Sequence, residues 1–308
     1  MIGVGTFTAT ESMRRNVNDV LDSGRLSYGE YSQRLEQRFA QLHESEFAVL
    51  SNSGTSALQV ALQTLKELHG WDDGDEVLIP AVTFVATANI VLHNRMMPVP
   101  VDIDPLYYEI DETLIESKIT NKTRAIIPVH LFGQPCNMTA IMAIAREYEL
   151  SVIEDSCEAM FVSHAGKRVG AWGDIGCFST YVAHLLTSGV GGIATTSNPD
   201  YAAKMRSLVN HGRDGIYFDT GANHAELISK RFKFDSIGHS YRITELEAAL
   251  GLAQLPDLDG IIAARQSNAD YLTTQLAGLQ HKLQLPAVRP HTESANMMFP
   301  IVMLDGNK

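Results

Sequence analysis

Short apolar runs alternate with segments of helical spacing over the first half of the chain. The runs Phe47–Leu50, Glu76–Ile79 and Arg124–Val129 are too short for helices and have polar or turn-forming neighbours, which predicts buried strands. Between them, apolar residues recur on one helical face, for example from Ala57 to Leu65 and from Met138 to Ala145. This alternation predicts an α/β fold in which helices cover both faces of a mostly parallel sheet.

The pattern changes after Asp174. The elements predicted there are two strands in DIGCFSTY and GGIATT, helices at about 200–211, 245–254 and 261–276, and a strand over Met297–Leu304. That last strand is strongly apolar and has no predicted neighbour along the sequence. Because a single strand is a poor fold element, we expect the C-terminal part to be incomplete in this sequence.

Composition and charge restrict the function classes. The chain has 308 residues with 36 acidic and 24 basic side chains, a formal net charge of −12, and 45 % hydrophobic residues. The length allows about two domains, and the absence of any basic run argues against nucleic-acid binding. No signal peptide or convincing membrane span is predicted, since polar residues interrupt the most apolar window, Val77–Leu92. We therefore expect a cytoplasmic enzyme.

The three cysteines, Cys136, Cys157 and Cys177, lie far apart along the chain. Their spacing fits neither a disulfide framework nor a metal site, and indicates buried thiols in a reducing compartment. We expect no metal.

Three polar segments are candidates for ligand binding or proton transfer. Ser53–Ala57 (SGTSA) opens a predicted helix and could bind phosphate, although a simple helix cap is the commoner use of such residues. Glu154–Asp155 ends a strand, where an acid could hold a protonated ring nitrogen or could simply be solvated. In FSTYVAHLLTSGVGG, Ser179 could donate to a phosphate, and His184 could act as a base or be a structural histidine.

Several longer motifs occur in one characteristic order: SGTSAL, PAVTFVATAN, PVDID, AIIPVHLFGQP, VIEDSCEA, GDIGCFSTY, GVGG and YRITELEAALGLAQL. From about residue 6 to about residue 260 the sequence resembles the DegT/DnrJ/EryC1/StrS sugar aminotransferases. The resemblance implies fold type I of the enzymes dependent on pyridoxal phosphate (PLP), with a mostly parallel seven-stranded sheet between helices. It further implies a large cofactor-binding domain with an N-terminal arm over residues 1–237, and part of a smaller α+β domain over 238–308.

The resemblance also implies roles for particular residues. The cofactor-binding positions of the family correspond to Gly54, Thr55, Ser56, Phe84, Asp155, Glu158, Ser179 and Ser240. Gly54 to Ser56 and Ser179 would bind the cofactor phosphate. Asp155 would keep the pyridine nitrogen protonated, Phe84 would stack on the ring, and Glu158, often Gln in relatives, would lie near the ring hydroxyl. Ser240 would reach the phosphate in a partner subunit, which implies a homodimer with shared active sites.

One position departs from the aminotransferase pattern in a chemically informative way. The third residue after the tyrosine of the FSxY motif is, in the aminotransferases, the lysine that forms a Schiff base with PLP. Here Tyr181 is followed at that distance by His184, while Lys167 and Lys204 lie well outside the motif. Imidazole transfers protons but forms no stable aldimine. His184 and Asp155 are therefore the predicted catalytic residues.

The same change from lysine to histidine is typical of the nucleotide-sugar 3-dehydratase branch of the family. The resemblance implies removal of the C3 hydroxyl from a nucleotide-linked 4-keto-6-deoxyhexose, with PLP or pyridoxamine phosphate (PMP) as cofactor and L-glutamate as amino donor. The branch acting on CDP-linked sugars carries an iron–sulfur cluster, which needs four thiolates. This sequence has three cysteines, so we expect the cluster-free reaction, similar to that of GDP-4-keto-6-deoxymannose 3-dehydratase.

Other departures leave two alternatives open. Val190 stands where relatives usually have an acid, Ser240 where they have Asn, and Phe161 where they have Gly. One alternative is a sugar aminotransferase that works without its lysine. The other is a noncatalytic homologue that binds the cofactor or a nucleotide sugar without turnover.

Overall fold

The computed structural model describes residues 7–213 and 232–304, and the structural statements below refer to these residues. Its helices are α1 (Glu11–Ser23), α2 (Glu30–Leu42), α3 (Gly54–His69), α4 (Val85–His93), α5 (Glu112–Ile115), α6 (Met138–Glu147), α7 (Pro199–Val209), α8 (Glu245–Gln254) and α9 (Leu258–Leu276). Its strands are β1 (Phe47–Ser51), β2 (Glu76–Pro80), β3 (Met97–Val101), β4 (Thr123–Ile126), β5 (Ser151–Asp155), β6 (Ser163–His164), β7 (Lys167–Arg168), β8 (Ile175–Ser179), β9 (Gly192–Thr196), β10 (Leu283–Gln284) and β11 (Val302–Met303).

Seven strands form one sheet in the order β1-β9-β8-β5-β4-β2-β3. The pairs from β8 through β5, β4 and β2 to β3 are parallel, whereas β9 runs antiparallel to both β8 and β1. The predicted mostly parallel α/β sheet is confirmed. Because parallel strands end at the same edge, the residues that follow β2, β4, β5 and β8 meet there.

Helices cover both faces of the sheet, and strand alternation divides the core between them. In β1, Val49 packs with α3, α4 and α7, while Ala48 and Leu50 face the opposite side with α2 and α8. A third cluster lies under α6, where Ile141 packs against Ile126. The helices predicted over 245–254 and 261–276 correspond to α8 and to most of α9.

Two N-terminal helices were not predicted, because their sequences are mostly polar. The Thr10 hydroxyl accepts a hydrogen bond from the Met13 amide at 3.3 Å and caps α1. The start of α2 is capped from a distance by the buried Glu245 carboxylate, which accepts from the amides of Gly29 (2.7 Å) and Ser32 (3.0 Å). Both helices pack against α8, so tertiary contacts rather than local pattern stabilise them.

The prediction of a strand over Met297–Leu304 is wrong for most of that segment. Only Val302 and Met303 are extended in a ladder, where they pair antiparallel with Leu283–Gln284. The preceding segment hydrogen-bonds to the turn after β4 instead: the Ala295 amide donates to the Gly133 carbonyl (2.8 Å) and the Met297 amide to the Phe132 carbonyl (3.0 Å). The domain boundary between residues 237 and 238 stays a prediction.

No helix in the described part of the chain is both long and apolar enough to span a membrane. Within the same residues all three cysteines are free thiols, and no cluster of His, Cys, Asp and Glu is arranged to hold a metal ion.

Candidate active site

The N-terminus of α3 lies directly against the end of β8. A Cβ atom on Gly54 would come within 2.6 Å of the Ser179 Cβ atom and 2.8 Å of the Cys157 sulfur, so only glycine fits here. The Ser53 hydroxyl caps the helix by accepting from the Ser56 amide at 3.0 Å. The first helical amides, at Gly54 and Thr55, have no partner within a helix and are free to bind an anion. The structure therefore brings Gly54, Thr55 and Ser179 together.

Ser56 is the least available of the predicted phosphate contacts. Its hydroxyl donates to Asn52 Oδ1 at 2.7 Å and lies 2.9 Å from the Ser53 hydroxyl. Ser56 thus supports the capping loop, and only its remaining acceptor capacity is left for a ligand.

Asp155 lies at the end of β5 with 5 % of its surface exposed. Its Oδ2 accepts from the Thr87 hydroxyl at 2.8 Å, and its Oδ1 from the Cys157 amide at 3.3 Å. Burial raises the pKa of the Asp155 carboxyl, and these two hydrogen bonds oppose the rise. A buried carboxylate of this kind gains most from a cationic partner such as a protonated ring nitrogen. Sequence reasoning missed Thr87, although it stands in the PAVTFVATAN motif.

Glu154, the neighbouring acid, points away from this site. Its carboxylate accepts from the amides of Gly170 (2.8 Å), Trp172 (2.7 Å) and Gly173 (2.8 Å), and it lies 3.1 Å from His130 Nε2. Adjacent strand residues face opposite sides of a sheet, so one member of the acidic pair orders a loop and the other is left for a ligand.

Phe84 and Glu158 lie on segments that flank Asp155. Phe84 is the N-cap residue of α4, and 69 % of its surface is exposed, which leaves the ring available for stacking. The Glu158 carboxylate accepts from the Phe132 amide at 2.7 Å. Burial raises the pKa of Glu158, and the nearby Asp155 adds to the rise.

His184 lies in the loop between β8 and β9, half-buried, with its amide donating to the Tyr181 carbonyl at 2.9 Å. Its Nδ1 atom is buried, and no group in the described residues meets hydrogen-bond geometry with it. Burial lowers the pKa of His184; the Ser179 carbonyl opposes this shift, and the charge of Arg265 adds to it. The imidazole is therefore neutral near pH 7, the form that can accept a proton.

Lys167 and Lys204, which lie outside the FSxY motif, bind other groups. Lys167 lies over the ring of Trp172, 5.2 Å from its centroid. Lys204 pairs with the Glu67 carboxylate at 2.6 Å and donates to the Ser236 hydroxyl. Neither contact involves Asp155, Ser179 or His184.

Ser240 is exposed, and its side-chain hydrogen bond among the described residues goes to Arg242 and not to another predicted site residue. Its hydroxyl accepts from Arg242 at 2.8 Å, and Arg242 also donates to Asn210 at 3.1 Å. A contact with a partner's phosphate stays a prediction.

These residues fit a phosphorylated pyridine cofactor. Free helix amides and the Ser179 hydroxyl suit the phosphate, Asp155 suits a protonated ring nitrogen, and the exposed Phe84 ring suits the ring face. Glycine at residue 54 lets the helix N-terminus pack against Ser179 and Cys157, where a Cβ atom would clash, and so brings the helix amides close to the Ser179 hydroxyl.

Comparisons with known proteins agree with this interpretation. The family described as the DegT/DnrJ/EryC1/StrS aminotransferase family matches residues 8–308. A GDP-perosamine synthase from Caulobacter vibrioides is 38 % identical over 262 residues, which cover 85 % of this chain and 66 % of that protein. The chain thus spans about two thirds of the length of that relative.

Two solved structures share the fold and concern a cofactor-dependent reaction. S. venezuelae DesV, described in complex with a ketimine intermediate, has a TM-score of 0.85 and 32 % identity, covering 94 % of this chain and 73 % of DesV. E. coli GDP-4-keto-6-deoxy-D-mannose-3-dehydratase, described with bound hydrated PLP, has a TM-score of 0.89 and 26 % identity. That likeness covers 98 % of this chain and 79 % of the dehydratase.

Proposed function

This chain belongs to the DegT/DnrJ/EryC1/StrS aminotransferase family, and we propose that it is a 3-dehydratase of a nucleotide-linked 4-keto-6-deoxyhexose. The observation that carries the proposal is His184 at the position of the family's lysine, on the loop that follows Ser179. The lowered pKa of His184, which keeps its imidazole neutral near pH 7, supports its use as a base.

The cofactor is PMP, the amine counterpart of PLP. When bound, it supplies an amine for the sugar ketone and a ring that accepts electrons. Gly54, Thr55 and Ser179 bind the phosphate through amides and hydroxyls. Asp155, held by Thr87, keeps the ring nitrogen protonated. Phe84 orients the ring.

His184 would accept a proton, and its protonated imidazole would donate that proton to the C3 hydroxyl of the sugar, which leaves as water when the C3–O bond breaks. A histidine at this position forms no stable covalent bond to the cofactor. The cofactor would therefore be held only by hydrogen bonds and ring stacking. Loss of the C3 oxygen with retention of the ketone is a two-electron reduction, and L-glutamate would be the reductant: it would regenerate the amine form of the cofactor and become 2-oxoglutarate, while the amine nitrogen of each cycle would leave as ammonia. Ser240 reaches the second active site of a homodimer.

A sugar aminotransferase is the second candidate, and the names of the curated relatives favour it. The GDP-perosamine synthase is 38 % identical, whereas the dehydratase likeness rests on a structure at 26 % identity. Transamination would leave a 4-amino sugar that keeps its C3 oxygen, so the two activities differ in product mass.

The test is mass spectrometry of products after incubation with PLP, L-glutamate and a panel of GDP- and CDP-linked 4-keto-6-deoxyhexoses. A product that lacks one oxygen and retains the ketone is expected. A 4-amino product with its C3 oxygen would make the chain an aminotransferase. No product, with cofactor binding shown separately by absorbance, would favour a noncatalytic homologue.

A further inference from the structure

The base of the loop that carries His184 is closed by hydrogen bonds. In this His184 loop, residues 180–191, the Thr180 amide donates to the Gly191 carbonyl and the Ser188 amide to the Thr180 carbonyl, each at 2.9 Å. The hydroxyls of Thr180 and Ser188 lie 2.6 Å apart and are buried. The Val182 amide also donates to the Gly189 carbonyl at 3.2 Å. These contacts join the two sides of the loop, and none of them involves the backbone of residues 185–187.

Thr187, directly before Ser188, is held by one side chain from α8. The Thr187 amide donates to Gln254 Oε1 at 3.1 Å, and Gln254 Nε2 donates to the Thr187 carbonyl at 2.6 Å. Gln254 Nε2 also donates to the Leu250 carbonyl at 2.8 Å, which fixes the amide on its own helix. Gln254 is 6 % exposed, so water does not compete with these bonds.

Apolar contacts alone do not define the orientation of this segment. Leu185 and Leu186 are buried in the cluster that α2 and α8 share, and such burial is non-directional. The planar amide of Gln254 instead binds both backbone polar groups of Thr187, which lies three positions after His184: its oxygen accepts from the N–H and its nitrogen donates to the carbonyl.

We propose that Gln254 is a positioning residue for His184, setting the place of the imidazole by binding the backbone of Thr187. The proposal rests on the proposed function for its kinetic consequence, but the position of His184 can be measured without turnover. The charged group that faces His184 from α9 is Arg265, and the Ser179 carbonyl approaches from β8. Among the described residues, Gln254 hydrogen-bonds to Thr187 and Leu250 and Arg265 to Asn296 and Met297, so the two side chains can be tested separately.

Gln254→Met keeps the length and volume of the side chain and removes its hydrogen bonds. We expect kcat for C3 dehydration to fall about 10- to 100-fold, because a displacement of about 1 Å in a reacting group has an effect of this size. KM for the sugar and the binding constant for PMP should change less than about threefold. Gln284→Met is the matched control, because Gln284 Nε2 donates to the Pro105 carbonyl and the Tyr108 hydroxyl and not to the His184 loop, and it should leave kcat unchanged.

A second readout separates this proposal from the proposed function. NMR titration of His184 in the full chain without sugar should show its pKa moving toward the ordinary histidine value in Gln254→Met, because a released loop exposes the ring. If the wild-type chain never dehydrates a sugar, the proposed function fails and this titration still decides about Gln254. Wild-type kcat and an unchanged His184 titration in folded Gln254→Met would overturn the proposal.

Should Gln254→Met fail to fold, Gln254→Asn keeps a neutral amide but shortens its reach by one methylene, so it loses the bonds to Thr187 without adding a charge near His184. A His184 titration unchanged in that folded variant would equally overturn the role, and a shifted titration would support it.

Discussion

The Thr87 hydroxyl donates a hydrogen bond of 2.8 Å to Oδ2 of Asp155. The contact joins α4 to the end of β5, and both groups are buried. Thr83 extends it, since its hydroxyl lies 2.8 Å from that of Thr87. The carboxylate proposed to face the cofactor nitrogen is therefore oriented by a second residue of the same motif.

Thr87→Val should weaken cofactor binding at acidic pH. The hydrogen bond from Thr87 lowers the Asp155 pKa against the rise that burial causes, so its removal moves that pKa further up. Protonation of Asp155 then begins at higher pH, and the acid limb of PMP binding should shift upward with it. Absorbance titration with PMP across pH measures the shift. Thr64→Val, at a buried threonine of α3, is the control, and an identical acid limb in Thr87→Val would contradict the role.

Substitutions of His184 test the proposed base directly. His184→Asn should reduce C3 dehydration at least about 100-fold, since general base catalysis contributes about that much or more, while PMP binding stays nearly unchanged. His184→Lys should bond covalently to PLP, and borohydride reduction should then add the cofactor mass to residue 184. Normal dehydration by the Asn variant would remove His184 from the mechanism.

Local patterns predicted the strands and the residues at their ends. Asp155 and Ser179 could be found this way because each follows a buried apolar run, and parallel strands end at one edge. Local patterns could not show that Asp155 rather than Glu154 is available to a ligand, because this depends on the loop at 170–173, whose amides bind Glu154.

Contacts between distant segments account for what the sequence did not reveal. Gln254 and Thr187 are 67 residues apart, and no local period relates them. The apolar segment over Met297–Leu304 has strand-like composition, but its backbone bonds to the turn at Phe132 and Gly133 instead of to a ladder. Tertiary hydrogen bonding there outweighs β propensity.

Phe161 combines backbone strain with core packing. Its φ of +62° is in the left-handed region, where glycine is favoured, and its ring packs 4.7 Å from His43 and 5.6 Å from Phe39. Phe161→Ala should lower the free energy of unfolding by about 3 kcal/mol or more through loss of the ring. Phe161→Gly should be about 1 kcal/mol more stable than the Ala variant, because it also relieves the strain. Urea unfolding measures both, and equal stabilities of the two variants would argue against strain.

Glu245→Gln tests the long-range cap of α2. The carboxylate accepts from the amides of Gly29, Tyr31 and Ser32 and from the Ser32 hydroxyl, and it is negative at a helix N-terminus. In Glu245→Gln the side-chain NH2 group would face backbone N–H groups, which cannot accept its hydrogen bonds. We therefore expect a loss of about 2 kcal/mol in the free energy of unfolding. Glu30→Gln, on the exposed face of the same first turn, should change it by less than about 0.5 kcal/mol. If Glu245→Gln lowered the free energy of unfolding by no more than Glu30→Gln does, Glu245 would not be the cap of α2.

Glu158→Gln should change the pH dependence of stability. Burial, together with the nearby Asp155, raises the pKa of Glu158 in the folded chain above its ordinary value. The ionised form is thus disfavoured in the folded state, and wild-type stability falls as pH rises from the ordinary carboxyl pKa through the raised one. A glutamine can still accept from the Phe132 amide and does not ionise. The variant should therefore be more stable than wild type at neutral pH, with an advantage that disappears as pH falls below the ordinary carboxyl pKa.

Thermal unfolding of both chains from pH 4 to 8 measures this difference, and Glu11→Gln, at the exposed start of α1, is the control. An advantage that stays constant with pH would show that Glu158 does not titrate in the folded protein in that range.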